Sequence, residues 1–168
     1  VRLVVTNFLN VAGSLTMSSM QNSPPVSVNL LSLNAAVVSG ILSVDSLEFQ
    51  TNLLRIESTG KISADARGYS SGGPGVGASS GGGGGHGGVG GGKGNELPAN
   101  TSPKSGNDQT ASSQYGRAYG DYQRPTTFGS AGGASSGNAP SGFGGGRIHI
   151  VAKEQMILHD GSIVSSDG

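Results

Sequence analysis

The 32 glycines of this chain of 168 residues are concentrated in one segment, and this concentration limits where a packed core can form. Residues 68–146 contain 27 of the glycines, together with all four tyrosines and five of the seven prolines. Glycine loses more conformational entropy on ordering than any other residue, so ordering such a segment requires dense packing. The segment has few large apolar side chains other than tyrosine: Val76, Val89, Leu97, Phe128 and Phe143. We therefore interpret residues 68–146 as a glycine-rich insertion without a conventional hydrophobic core.

The residues on either side of the insertion have the composition of a β-structured domain. These 89 residues contain 29 valines, leucines and isoleucines, many of them in short alternating runs. An alternation with a period of two, as at Ile148 and Ile150, predicts strands with one buried face, whereas no stripe with the 3.6-residue period of a helix persists. We therefore expect residues 1–67 and residues 147–168 to form one all-β domain that the insertion interrupts.

A repeated phrase marks these flanking residues. Four glycines are each preceded by a strand-like run and followed, two positions later, by an aliphatic residue: Gly13, Gly40, Gly60 and Gly161. They lie 27, 20 and 101 residues apart, so a unit of about 20 residues is extended once by a short loop and once by the insertion. Short strands separated by glycine corners predict a parallel β-solenoid, in which glycine supplies the positive φ of a sharp corner. An antiparallel β-sandwich with glycine hairpin turns is the alternative that these weak repeats leave open.

The solenoid interpretation implies open strand edges. The chain begins within an apolar, strand-like run, residues 1–5, and reaches Gly168 directly after a corner phrase. Unpaired backbone groups at an open end of a solenoid invite another strand. We therefore expect that the domain either belongs to a longer array or is completed by a neighbouring subunit.

Aromatic residues recur among the glycines of the insertion and indicate a packing surface. Because glycine has no side chain, backbones can approach closely, either in layers of glycine or against a partner. Our hypothesis is that the insertion is ordered by such contacts between subunits. The candidate packing or contact aromatics are Tyr69, Tyr115, Tyr119, Tyr122, Phe128 and Phe143.

Charge and composition argue against several classes of function. Ten basic and ten acidic side chains cancel and form no basic cluster, which argues against nucleic acid as a partner. The longest apolar runs, of four or five residues, are too short to span a membrane. The absence of cysteine excludes a disulfide framework, a thiol nucleophile and a zinc-finger ligand set.

The titratable residues form no recognisable catalytic or metal-binding pattern. The histidines lie in a glycine-rich loop, a strand and a corner, without the spacing of known metal motifs: His86, His149 and His159. Four aspartates near the corners lack the calcium-binding nonapeptide repeat and are expected to cap turns: Asp45, Asp65, Asp160 and Asp167. The remaining acids are too dispersed for a solenoid enzyme that cleaves polysaccharides. We therefore expect no enzymatic activity, no cofactor and no metal site.

Several motifs occur together in a defined order. Gly60 opens Gly-Lys-Ile-Ser-Ala-Asp, a glycine run surrounds His86, and Pro-Thr-Thr-Phe-Gly-Ser begins at Pro125. Gly-Gly-Gly-Arg-Ile-His-Ile begins at Gly144 and is followed by Asp-Gly-Ser-Ile. Over about residues 53–168 this order resembles a recurring unit of large, glycine-rich, β-solenoid-like secreted and surface proteins of algae, oomycetes, plants and some bacteria. The resemblance implies an extracellular structural or adhesive role and no known catalytic residue.

One modification site accompanies the extracellular interpretation. Asn100 begins the single N-glycosylation sequon, Asn-Thr-Ser, within a polar stretch where an acceptor would be exposed. In a secreted eukaryotic protein this asparagine is a candidate for glycosylation, and glycans are therefore candidate partners.

Together these features predict a non-enzymatic extracellular or cell-surface structural protein. It would be the subunit of a filament, fibril or surface layer that assembles with itself, as a homo-oligomer or helical filament, through open strand edges and glycine-rich packing. The alternative function is an adhesin or carbohydrate-binding surface module with Tyr115, Tyr119 and Tyr122 as its contact surface. A polysaccharide-active solenoid enzyme is the third hypothesis.

Overall fold

A computed structural model describes residues 2–17, 27–32, 34–69, 72–77, 82–86, 90, 116–121, 123, 126–134 and 142–168. The chain divides into two compact units, the first formed by residues 1–65 with 146–167 and the second by residues 66–145 with 168. The described residues contain no helix, and therefore none that is long and apolar enough to cross a membrane. Asn100, Tyr115 and Tyr122 lie outside the described residues.

The described residues of the first unit form ten strands. In chain order they are β1 (Arg2–Val5), β2 (Phe8–Val11), β3 (Ser14–Met17), β4 (Ser27–Ser32), β5 (Ala35–Val38), β6 (Ile41–Val44), β7 (Ser46–Ile56), β8 (Lys61–Ser63), β9 (Arg147–Leu158) and β10 (Ile163–Ser165). They form a six-stranded sheet and a four-stranded sheet. All eight pairings described between these strands are parallel, which confirms the prediction of an all-β chain with parallel strands. The described strands contain no antiparallel pair, and this finding disfavours the antiparallel sandwich.

The pairings align the strands in three ladders. The first ladder contains β1, β4, the beginning of β7 and the beginning of β9. The second contains β2, β5 and the ends of the same two long strands. The third is the four-stranded sheet, in the order β3, β6, β8 and β10. The register between β7 and β9 shifts between Thr51 and Leu53, so one long strand serves two ladders on either side of this irregularity.

The core of the first unit consists of side chains stacked along the ladders. Leu30 and Phe49 are aligned in the first ladder, and Leu42 and Ile62 in the third, and all four are fully buried. Their neighbours in sequence point to the opposite side of the strand, as the period of two requires. The remaining buried members of the core cluster are Val11, Val28, Ala36, Val38, Val44, Leu47, Leu54 and Ile56.

The four repeat glycines each lie between two strands, but they serve this position in different ways. Gly161 has a φ of 89°, which favours glycine, whereas the other three do not have a positive φ. A β-carbon at Gly40 would lie 2.1 Å from the carbonyl oxygen of Gly13. A β-carbon at Gly60 would lie 2.2 Å from the carbonyl oxygen of Val38. The expected positive φ is therefore wrong for Gly13, Gly40 and Gly60. At Gly40 and Gly60 glycine instead permits close contact between stacked backbones, whereas nothing lies within 4 Å of a β-carbon at Gly13.

Candidate functional surfaces

The second unit is built from backbone contacts between glycine-rich segments, and its described residues contain no strand. The segment 129–133 exchanges backbone hydrogen bonds with four others, namely 68–69, 72–77, 82–86 and 142–145. A strand in a sheet bonds to at most two neighbours, whereas an extended chain with three residues per turn directs its backbone groups to several sides. These segments therefore form a hydrogen-bonded backbone bundle and not a sheet.

Glycine is required at many positions of this bundle because the backbones touch. A β-carbon at Gly77 would lie 1.9 Å from the carbonyl oxygen of Gly82, and one at Gly144 would lie 2.0 Å from that of Gly129. Real β-carbons do not approach a backbone this closely, so a side chain at either position would force the segments apart. The glycine content of the insertion thus has a local physical cause in the described residues, which is the spacing between neighbouring segments.

Tyr119 lies at the centre of a polar network within the bundle. Its hydroxyl donates a hydrogen bond to the backbone carbonyl of Phe128 and accepts one from Ser130 Oγ at 2.9 Å. Ser130 Oγ also accepts a hydrogen bond from the backbone N–H of Gly75 at 2.9 Å. Burial raises the pKa of the Tyr119 phenol above its ordinary value, although the Ser130 hydrogen bond opposes this shift. The network links three segments of the bundle through the side chains of Tyr119 and Ser130.

Two aromatic contacts surround this network. The ring of His86 packs edge-on against Tyr119, with ring centroids 5.1 Å apart, and His86 Nε2 lies 2.9 Å from Thr127 Oγ1. The rings of Tyr69 and Phe128 make a second edge-on contact, with centroids 6.2 Å apart. These geometries are the favoured ones for aromatic pairs. Of the predicted contact aromatics, Tyr69, Tyr119 and Phe128 pack within the bundle. Phe143 is exposed.

An open cavity of about 330 Å³ lies within the second unit. Eight glycines contribute to its lining, and the other three lining residues are His86, Ser130 and Phe143. Phe143 is the exposed aromatic residue among them. None of the lining residues that the structure describes carries a side-chain carboxylate. The cavity can offer backbone groups and one aromatic face to a ligand.

Asp65 connects the third ladder to the residues that follow β10. Its carboxylate accepts hydrogen bonds from the backbone N–H of Asp167 at 3.0 Å and from the hydroxyls of Ser63 and Ser165, both at 2.7 Å. Lys61 Nζ lies 3.3 Å from the same carboxylate. The backbone N–H of Asp167 is the main reason that the pKa of Asp65 lies well below its usual range; partial desolvation opposes this, and the hydroxyls and Lys61 add to it.

The histidines of the first unit form separate pairs with glutamates. His149 Nδ1 lies 2.6 Å from Glu48 Oε1, and the same carboxylate contacts Arg147 at 3.2 Å. His159 Nε2 lies 3.7 Å from Glu57 Oε2, beyond hydrogen-bond distance. Within the described ranges, no three metal-ligating side chains come together. The first pair joins the neighbouring strands β7 and β9, and the second lies directly after the ends of these two strands.

The outer strands of the ladders expose apolar residues that are aligned with the core. In the first ladder Leu3 is 41% exposed, whereas Leu30 and Phe49, aligned with it, are buried. In the third ladder Val164 is 44% exposed and is aligned with the buried Ile62. Leu158, the corresponding residue of the second ladder, is 55% exposed. In these three cases the outer residue is exposed and its inner neighbour is buried, whereas Val11 of the outer strand β2 is itself buried.

The sequence did not predict the polar network around Tyr119. Serine, threonine and histidine occur throughout the chain, and nothing in their spacing brings Ser130 and Thr127 together with His86 and Tyr119.

Comparisons with protein-family models, with curated proteins and with solved structures found no match to this chain.

Proposed function

We propose that the first unit is a parallel β-solenoid of four coils, each contributing one strand to each ladder. Coil 1 comprises residues 2–17, coil 2 residues 27–44, coil 3 residues 46–63 and coil 4 residues 147–165. The proposal is supported by the parallel registers, which align every coil with the next at the same three sets of positions. In a solenoid, successive coils of the chain stack on one another, and their equivalent strands form such ladders.

The insertion would leave this solenoid at a corner between coil 3 and coil 4. The backbone N–H of Gly146 donates to the carbonyl of Ala64 at 2.8 Å, and that of Arg147 donates to Asp45 at 3.0 Å. The two ends of the insertion therefore lie side by side in the first unit. A long insertion with adjacent ends is compatible with uninterrupted stacking of the coils.

We further propose that the protein is a non-enzymatic structural subunit of a filament, fibril or surface layer outside the cell or at its surface. The observation that carries this proposal is the exposure of inward-facing apolar residues on both outer coils, at Leu3 in coil 1 and at Leu158 and Val164 in coil 4. Exposed strand edges with apolar side chains are templates for association. The extracellular location rests on the resemblance of residues 53–168 to secreted and surface proteins.

The proposed self-assembly is tested by a concentration series of the purified chain. Sedimentation velocity and negative-stain electron microscopy should show particles that lengthen into regular fibres as the concentration rises. A chain that stays monomeric at all concentrations contradicts the proposal.

A carbohydrate-binding function is the second candidate, and the glycine-lined cavity with its exposed Phe143 favours it. An aromatic face beside backbone hydrogen-bonding groups suits a sugar ring. Binding to a panel of oligosaccharides, measured by calorimetry, should be lost in Phe143→Ala and retained in Val76→Ala, which removes another exposed apolar side chain. Equal binding by both variants contradicts this candidate.

Glycosylation of Asn100 stays a prediction that a mass measurement checks. The protein isolated from its source should show a glycan mass on the peptide that contains this sequon. An unmodified peptide contradicts it.

A further inference from the structure

We infer that subunits join by stacking coil 4 of one copy directly on coil 1 of the next, with strands parallel and all three ladders in register. The two copies would then share one continuous solenoid. This inference rests on the proposed structural function and specifies the joint that performs it. It names a second copy of this chain as the occupant of the open edge.

Among the described strands, those of both outer coils are paired on one side only. Among the described strands, β9 pairs only with β7 and β10 only with β8. At the other end of the ladders, β1, β2 and β3 each pair with a single strand of coil 2. Outer strands of this kind carry N–H and C=O groups that point away from the ladder, and another parallel strand about 4.8 Å away can bind them.

The side chains of the two outer coils match when the ladders are continued. In the first ladder Leu3 is in register with Ile150, and in the third Leu15 is in register with Val164. In the second ladder, Val11 is in register with Leu158. Each match places aliphatic on aliphatic at an inward-facing position, as between the inner coils. A slip of one residue would turn these side chains to the outer face, so the hydrophobic pattern selects the register.

Charge is unevenly divided between the two halves of the joint. Coil 1 contains a single charged residue, Arg2, whereas coil 4 contains four: Arg147, Lys153, Glu154 and Asp160. The desolvation of ions in coil 4 therefore opposes part of the gain from stacking. The attraction is mainly hydrophobic, together with backbone hydrogen bonds along three ladders.

The size of the coils predicts a joint of modest strength. Coil 1 spans 16 residues and coil 4 spans 19, counted from their ranges, whereas a standard stable interface involves about 20–30 residues from each partner. One joint is therefore slightly smaller than a standard interface. Association should be reversible and dependent on concentration, and a filament forms because each subunit carries both halves of the joint.

Disulfide cross-linking tests the register because the chain has no cysteine of its own. Phe8 and Gln155 occupy the same position of the second ladder, and Ser14 and Ile163 the same position of the third. All four side chains are exposed, so single cysteine variants should keep the fold, which circular dichroism checks. In a stacked pair the matched Cα atoms lie about 4.8 Å apart, within the range of about 4.4–6.8 Å for disulfides.

Two variants at a time are mixed under mild oxidation, and dimers are counted on non-reducing gels and identified by peptide mass spectrometry. The mixtures Phe8→Cys with Gln155→Cys and Ser14→Cys with Ile163→Cys should form at least about tenfold more mixed dimer than the mismatched control, Phe8→Cys with Ile163→Cys. A tenfold ratio corresponds to about 1.4 kcal/mol of preference for the matched register.

Fibres or oligomers without a preference for the matched pairs would overturn the inferred joint and leave the proposed self-assembly standing. Absence of any association would overturn both. Matched dimers that form without fibres would support the joint and show that it does not propagate.

Discussion

Removing residues 66–145 and joining Asp65 to Gly146 should leave the first unit folded. The distance of 2.8 Å between Gly146 N and the Ala64 carbonyl oxygen shows that the two ends are already adjacent. In the shortened chain one residue, Gly146, would stand between Asp65 and Arg147, the first residue of β9. At the equivalent corner, Asp45 is followed directly by Ser46, the first residue of β7, so the new connection is one residue longer. That extra residue is a glycine, which can adopt the conformation that the new corner needs.

The expected change in stability follows from loop closure. Each doubling of a flexible loop costs about 0.6 kcal/mol, and 80 residues amount to about six doublings. Deletion should therefore raise the free energy of unfolding of the first unit by up to about 4 kcal/mol. The gain is smaller to the extent that the backbone bundle already holds the two ends of the insertion together.

Urea unfolding followed by far-ultraviolet circular dichroism measures this change. The deleted chain should retain parallel β structure and unfold cooperatively. As a control, Ile62→Ala in the deleted chain removes a fully buried side chain and should cost about 2–5 kcal/mol. Loss of cooperative unfolding in the deleted chain, with an intact core sequence, would refute the argument that the first unit folds without the insertion.

Three smaller changes test individual contacts. Because its pKa is lowered in the folded state, Asp65 contributes stability above the unfolded value of about 3.9, and this contribution is lost as the pH falls further. Asp65→Asn should therefore flatten the acid dependence of unfolding measured in urea, and an unchanged acid dependence would contradict this contribution. Gly144→Ala should destabilise the second unit by at least about 2 kcal/mol, because its β-carbon would meet a backbone oxygen, but Gly142→Ala, with nothing within 4 Å, should change little. Both are measured by thermal unfolding followed by near-ultraviolet circular dichroism; equal effects would contradict the packing argument. Burial raises the pKa of the Tyr119 phenol, so Tyr119→Phe should remove a tyrosine with a raised pKa from an alkaline absorbance titration. A titration curve that changes only in amplitude would show that Tyr119 is exposed.

The polar contacts of the two units differ in what they can contribute. In the first unit Asp65 receives several hydrogen bonds at once, and a charged acceptor of this kind strengthens each of them. In the second unit Tyr119 and Ser130 are neutral and connect backbone segments that have few apolar side chains between them. Hydrogen bonds therefore replace hydrophobic burial as the main local source of order around Tyr119.

The alternation of apolar residues was sufficient to predict strands in the flanks and their all-β character. A side chain such as Ile62 lies between polar neighbours, and this pattern can bury one face of a strand whatever its partner is. The repeat spacing likewise predicted which strands are equivalent, because Leu42 and Ile62 follow their glycines by the same interval and are in register. Both properties depend on residues that are close in the sequence, so the sequence alone was enough to predict them.

Only the tertiary structure decided the contacts that depend on distant segments. Gly40 and Gly60 were expected to supply a positive φ, and instead they allow stacked backbones to touch, which a sequence cannot reveal without the neighbouring coil. Tyr119 and Ser130 were brought to one point by the bundle, although neither has a distinctive sequence context. Glycine content by itself indicated that the insertion lacks a packed hydrophobic core. It did not indicate which backbone segments are in contact, because those segments are far apart in the sequence. The sequence by itself therefore determined the strands and the place of the insertion, and the tertiary structure decided what the glycines touch.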